Sequence, residues 1–138
     1  MNISEDIPVE YNALVLEHFE RPRNAGRFAD DLDTIDGVAG SVAQGAMFRL
    51  SAHIAQQRIA ALRFEAYGCP HCLAAGSWLS ERLLGATCED LQSWQWREAA
   101  EVLEVPAEKR GRLLILEDAV RDLAAAWAAR SYHNDRPA

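Results

Sequence analysis

The chain has 138 residues, with 14 basic and 21 acidic side chains and a formal charge of −7 at pH 7. That length suits one domain with a single core, because two domains would each bury too little apolar surface. The composition, 49% hydrophobic and 25% charged, is globular, and the acidic balance excludes bulk binding to nucleic acid or anionic membrane, which needs clustered Lys and Arg.

Residues 1–8 read as a flexible lead. Tyr11, Leu14, Val15 and Phe19 recur at helical spacing and predict a short helix over 11–19. Arg21-Pro22 stops it, since proline disfavours helix at the residue before it. Asn24-Ala25-Gly26 reads as a turn, and Asp30-Asp31-Leu32-Asp33 as a solvated acidic loop. Next, Phe48, Leu50, Ala52 and Ile54 alternate with Met47, Arg49, Ser51 and His53, the pattern of a strand with one wet face. Leu62, Phe64 and Ala66 alternate with Arg63 and Glu65 in a second strand. The short linker over 55–58 predicts an antiparallel pair. A third strand is expected over 35–42, although Gly37 and Gly40 are unfavourable inside one.

The remainder reads helical. One helix is predicted over 71–84, closed by Gly85. Thr87 caps a short helix from Cys88 to about Trp94, and another short piece covers 98–103, ended before Pro106. Leu113, Leu116, Val120, Leu123 and Trp127 stripe a longer C-terminal helix. Residues 132–138 read as a flexible tail. The order predicts an α+β fold: one domain over 1–138, with a small three-stranded antiparallel sheet and helices packed on one face.

The cysteines are Cys69, Cys72 and Cys88, an odd number and too few for a disulfide framework. The first residues carry no signal-peptide pattern, and the longest uncharged central run, 67–80, is too short and polar to span a bilayer. A cytoplasmic, reducing location is expected, with thiols free or metal-bound unless they do redox chemistry.

Tyr67-Gly68-Cys69-Pro70-His71-Cys72 lies between a strand and a helix. A thiol at a helix N-terminus meets unpaired N–H groups and the positive dipole end, which favour the thiolate. Three readings stand there. Cys69, His71 and Cys72 are potential metal ligands, but a tetrahedral site needs four and no second pair follows. Cys-Pro-His-Cys resembles the motif of strongly oxidising disulfide oxidoreductases. Alternatively, Cys72 is a small core residue. Cys88 reads as a helix-start residue. His18 and His53 read as packing or surface residues, and His133 lies in the tail. The glycines match no phosphate loop, and no nucleophile elbow is present. The tryptophans read as core, except that Trp94 and Trp96 do not fit one helical face, which suggests a partner contact.

The order of segments resembles a known family. Tyr11 to Gly26, with His18-Phe19-Glu20-Arg21-Pro22-Arg23-Asn24-Ala25-Gly26, resembles the opening helix and H-[YF]-x-x-P-R-N-x-G signature of IscU/NifU-type iron–sulfur cluster assembly scaffolds. Gly45 to Leu50 resembles their first ligand loop, and Arg63 to Cys69 their second strand and YGC loop. Val105-Pro106-Ala107-Glu108-Lys109 stands where the family carries its Leu-Pro-Pro-Val-Lys chaperone segment, so Val105, Pro106 and Lys109 are the implied partner-binding residues. Leu116 to Val120 resembles the start of its last helix.

The family's ligands for a [2Fe–2S] cluster are three cysteines, a histidine and a nearby aspartate. Carried over residue by residue, the first cysteine falls on Gln44 and the aspartate on Ala46. The second cysteine falls on Cys69 and is kept, while the histidine–cysteine pair falls on Gly111 and Arg112. Clusters need soft anionic sulfur donors, so a conventional one-chain cluster is not expected. A guanidinium at 112 could instead pair with the Cys69 thiolate. The resemblance implies a divergent iron–sulfur assembly protein, not an enzyme, that works with a cysteine desulfurase and other assembly proteins. Cys69 would accept persulfide sulfur, or would share a cluster, iron or zinc with Cys72 and His71 across a dimer. The alternatives are a thiol–disulfide redox protein using Cys69 and Cys72, or an interaction module that binds assembly partners.

Overall fold

The computed structural model describes residues 11–29 and 33–134, the last four by backbone alone. The expected flexible lead at 1–8, residues 30–32 of the acidic loop and residues 135–138 of the expected tail lie outside them. The elements are α1 (Ala13–Glu20), β1 (Thr34–Ser41), β2 (Ala46–Ala55), β3 (Arg58–Tyr67), α2 (Pro70–Arg82), α3 (Cys88–Ser93), α4 (Trp96–Val102), a 3-10 turn (Ala107–Lys109) and α5 (Gly111–Asn134). The last helix therefore runs into the segment expected to be flexible from 132.

The strands form one antiparallel sheet in the order β1-β2-β3. Gln56 and Gln57 turn the β2–β3 hairpin with both φ angles positive, 54° and 62°. That is the primed-turn geometry whose twist matches the strands. Gly37, Leu50 and Phe64 stand opposite one another across the sheet and share its inner face. On that face α5 crosses β1 so closely that a Cβ on Gly37 would lie 2.4 Å from the Leu123 backbone nitrogen. Gly76 of α2 likewise leaves room for the Phe64 ring. Helices thus cover one face, as the element order predicts. Leu113, Leu116, Val120, Leu123 and Trp127 are all buried there.

The stretch from Pro22 to Gly26 now has a physical role. Asn24 O accepts from Phe64 N–H at 2.9 Å, and Gly26 N–H donates to Phe64 O at 2.8 Å. The segment therefore covers the open edge of β3, which would otherwise present unpaired backbone groups. Arg23 N–H donates to Ser77 Oγ at 2.7 Å, and Asn24 Nδ2 to Ser80 Oγ at 3.1 Å, tying it to α2.

Three expectations need correction. Phe19 is exposed, while His18 is buried and hydrogen-bonded to Ser77 Oγ at 2.7 Å, so α1 turns its 15/18 side to α2. Ser51, expected on the wet face of β2, is buried. That outer face carries long side chains: Arg49 pairs with Asp36 at 2.8 Å, and Phe28 stacks on His53 beneath Arg63. Trp94 and Trp96 both pack on the chain itself. They belong to different elements, because extended backbone at 94 and 95 separates α3 from α4.

Candidate functional site

Cys69 is the N-cap of α2, with Pro70 in the first turn. Gly68 precedes it at φ +147°, and a Cβ at 68 would lie 2.7 Å from Cys72 Sγ and 3.2 Å from Gly45 O. Glycine is therefore required twice at 68, for its dihedral and for the space that the second sulfur fills. The same contact brings the loop over 44–46 beside the Cys69 loop. The start of α5 brings Arg112 there as well, where its guanidinium and the Cys69 sulfur favour each other's charged forms. The three loops that the resemblance implied as ligand loops converge here.

Cys69 is half-buried and Cys72 is buried, with 3.9 Å between their sulfurs. Hydrogen bonding from Cys72 draws the Cys69 thiol down to about 3, helped by the His71 imidazole, the Cys72 backbone N–H and Arg112, against the opposing effect of burial. The Cys72 thiol is pushed well above the usual range, first because it donates to Cys69 and then by burial and the adjacent negative charge. The pair therefore holds one thiolate, on Cys69, and one proton, on Cys72.

His71 is 1% exposed and its ring lies 4.8 Å from that of Tyr11, centroid to centroid. Lys109 Nζ sits 5.5 Å over the other aromatic system, Tyr11 itself. Asn12 caps α1 by accepting from Val15 N–H at 2.8 Å and donates to Val102 O and Glu104 Oε2. This anchors Tyr11 beside the site. Tyr11 and Gly68 were not predicted as site residues. No local spacing links position 11 to 71, and the role of Gly68 depends on where Cys72 turns.

Gln44 is exposed in the β1–β2 turn, held by Ser41, whereas Ala46 is fully buried at the start of β2. Gly111 contributes no side chain. Of the implied partner-binding residues, Val105 is buried, at 1% exposure, and faces the core. Pro106 and Lys109 remain partly exposed. Cys88 opens α3, where Thr87 forms a capping box with Asp90, and its thiol points to Ala124 O at 3.5 Å. It lies outside the site. His53 hydrogen-bonds with Thr34 Oγ1 and stacks on Phe28, a packing role, as expected. No helix among the described residues is long and apolar enough to cross a membrane.

Residues 10–134 match the family of NifU-like N-terminal domains. The chain is 33% identical over 113 residues to the iron–sulfur cluster assembly scaffold protein IscU of Azotobacter vinelandii, spanning 80% of this chain and 88% of that one. Its similarity to the IscU scaffold of Escherichia coli is 29% over 122 residues, or 87% and 95% of the two chains. Among solved structures, the N-terminal part of a nitrogen-fixing NifU-like protein from Brucella abortus aligns with a TM-score of 0.54 and 20% identity. It covers 91% of this chain and 95% of that one, a likeness of fold alone.

Proposed function

This chain belongs to the family of NifU-like N-terminal domains, and from that membership we propose that it serves iron–sulfur cluster assembly as a scaffold-type protein whose working group is the Cys69 thiolate. The observation that carries the reading is the environment of that sulfur. It is half-buried at the N-terminus of α2, 3.9 Å from Cys72 Sγ, and Cys72, His71 and Arg112 all favour its charged form.

A [2Fe–2S] cluster held by this chain alone does not fit the donor set. Gln44, Ala46 and Gly111 offer no anionic sulfur, and Arg112 brings a cation to the one sulfur that remains. A cluster shared across a dimer would draw on Cys72 as well, and that thiol is only 1% exposed. Iron and cluster are better read as cargo of the assembly machinery than as a resident group.

Sulfur acceptance needs one accessible thiolate, and Cys69 meets that need. Its Sγ attacks the outer sulfur of a desulfurase persulfide. The S–S bond of the donor breaks, the sulfur passes to Cys69, and the donor cysteine leaves as a thiolate. The protein then acts as a stoichiometric carrier rather than an enzyme, in a reducing compartment such as the cytoplasm. The test is incubation with a cysteine desulfurase and cysteine, read by intact mass and peptide mapping. One added sulfur on Cys69, lost in Cys69→Ser, is the expected result. A chain that binds the desulfurase yet gains no sulfur would be an interaction module instead.

A further inference from the structure

Cys72 stands at no ligand position of the family, yet its sulfur is placed beside the acceptor. The two sulfurs lie 3.9 Å apart. Cys72 is 1% exposed, while Cys69 is half-buried and reachable. Gly68, by lacking a Cβ, leaves the volume in which Cys72 Sγ sits. A buried thiol held behind a reachable one has the arrangement of a resolving cysteine. We propose that Cys72 discharges a persulfide formed on Cys69, releasing the carried sulfur as hydrosulfide and leaving a Cys69–Cys72 disulfide. This rests on the reading of Cys69 as sulfur acceptor.

The chemistry balances within the site. Cys72 Sγ attacks Cys69 Sγ, and the bond between Cys69 Sγ and the outer sulfur breaks. The outer sulfur leaves with the electron pair, and the Cys72 proton completes HS⁻. The carried sulfur gains two electrons, and the two cysteines supply them by forming the disulfide. Cluster bridges are sulfide, so delivery at that oxidation level is the form that cluster building consumes. The sulfurs must close by roughly 2 Å to reach disulfide length. A dithiol reductant of the thioredoxin class resets the pair for another round.

The geometry also separates the two cysteines by role. Small external thiols can reach Cys69 but not Cys72, whereas Cys72 is already held 3.9 Å from the Cys69 sulfur. Cys88 cannot substitute, because its thiol is directed to Ala124 O, further along α5 than Arg112, and takes no part in the site.

The test uses single-turnover loading: a cysteine desulfurase, stoichiometric cysteine, no other reductant and no oxygen. Wild type, Cys72→Ser, Cys72→Ala and Cys88→Ser are compared by intact mass, non-reducing peptide mapping and free sulfide. The expected result is sulfide released in step with a Cys69–Cys72 disulfide in wild type and Cys88→Ser. Cys72→Ser and Cys72→Ala should instead keep one extra sulfur on Cys69 at least tenfold longer. If wild type keeps its persulfide as long as the Cys72 variants, the inference is overturned while sulfur acceptance stands. If folded Cys72→Ala and wild type both fail to take sulfur and form no disulfide, the acceptor reading falls and the inference falls with it.

Discussion

At the scale of single residues, the site divides one proton between two sulfurs. Cys69 carries the charge because Cys72, His71 and Arg112 all favour its ionised form, and Cys72 keeps its proton because it is buried beside that charge. An ordinary thiol loses reactivity about tenfold per pH unit below its pKa. Cys69 should not, because its depressed pKa keeps it ionised through neutral and mildly acidic pH. Alkylation of Cys69 by iodoacetamide should therefore stay nearly flat over that range. In Cys72→Ala the principal donor is gone, so the Cys69 pKa should rise and the rate at mildly acidic pH should fall. A rate–pH series with peptide mapping reads both. The thiol of Cys88, raised by burial first and by Glu89 second, should show the ordinary steep dependence, displaced upward.

Much of this residue-level picture is legible in the sequence. A cysteine before proline at a strand–helix junction implies a capped helix and an activated thiol. What the sequence does not carry is the direction in which Cys72 points. Its position in the first turn of α2 is compatible with a core residue, a ligand or a redox partner. Only the backbone path through Gly68, at φ +147°, turns its sulfur toward Cys69.

At the scale of elements, local chemistry fixes most boundaries. Asn12 and Thr87 cap α1 and α3 through their side chains. Gly85, at φ +82°, follows α2, with its N–H bonded to Ile59 O. The helix expected over 98–103 instead begins at Trp96, whose backbone N–H is held by Glu117 Oε1 of α5. That distant partner is invisible to a local reading. Gly37 and Gly40 look unfavourable for a strand, yet both sit inside β1. Gly37 is present because α5 lies directly on that strand, so that a Cβ there would meet the Leu123 backbone, whereas Gly40 stands at φ +88° and a Cβ there would meet first Ala46 O of β2 and then Ile115. Gly37→Ala should therefore destabilise the domain by about 3 kcal/mol, since backbone rather than a flexible side chain must give way. Urea unfolding measures it, and an unchanged midpoint would mean that α5 can lift from β1 at no cost.

At the scale of the whole molecule, α1, α2 and the edge segment beside β3 are joined through buried polar groups. Ser77 Oγ bonds with His18 Nδ1 and accepts from Arg23 N–H, while Ser80 Oγ donates to Arg23 O at 3.2 Å. Burial lowers the pKa of His18, with Arg23 adding to the effect and Glu81 and Glu17 opposing it. The folded chain thus resists a proton that the unfolded chain accepts below about 6.5. Stability from this group is complete above that pH and declines as pH falls toward the depressed folded value. His18→Gln should lower stability at neutral pH while flattening its dependence between neutral and mildly acidic pH. Chemical denaturation of both proteins across that range checks the sign, which would be reversed if protonated His18 were held by Glu81, 4.0 Å away.

The sequence by itself determined the element order, the antiparallel hairpin and the apolar stripe of α5. These follow from periodicity, capping and loop order, which act over a few residues or repeat along the chain. The tertiary structure decided that Val105 faces the core, that Tyr11 lies against His71, and that Arg112 and Cys72 both address one sulfur. The physical reason is distance along the chain. Positions 11, 68, 72 and 112 meet only because the end of β3 and the start of α5 come together, and no local pattern records where two distant segments meet.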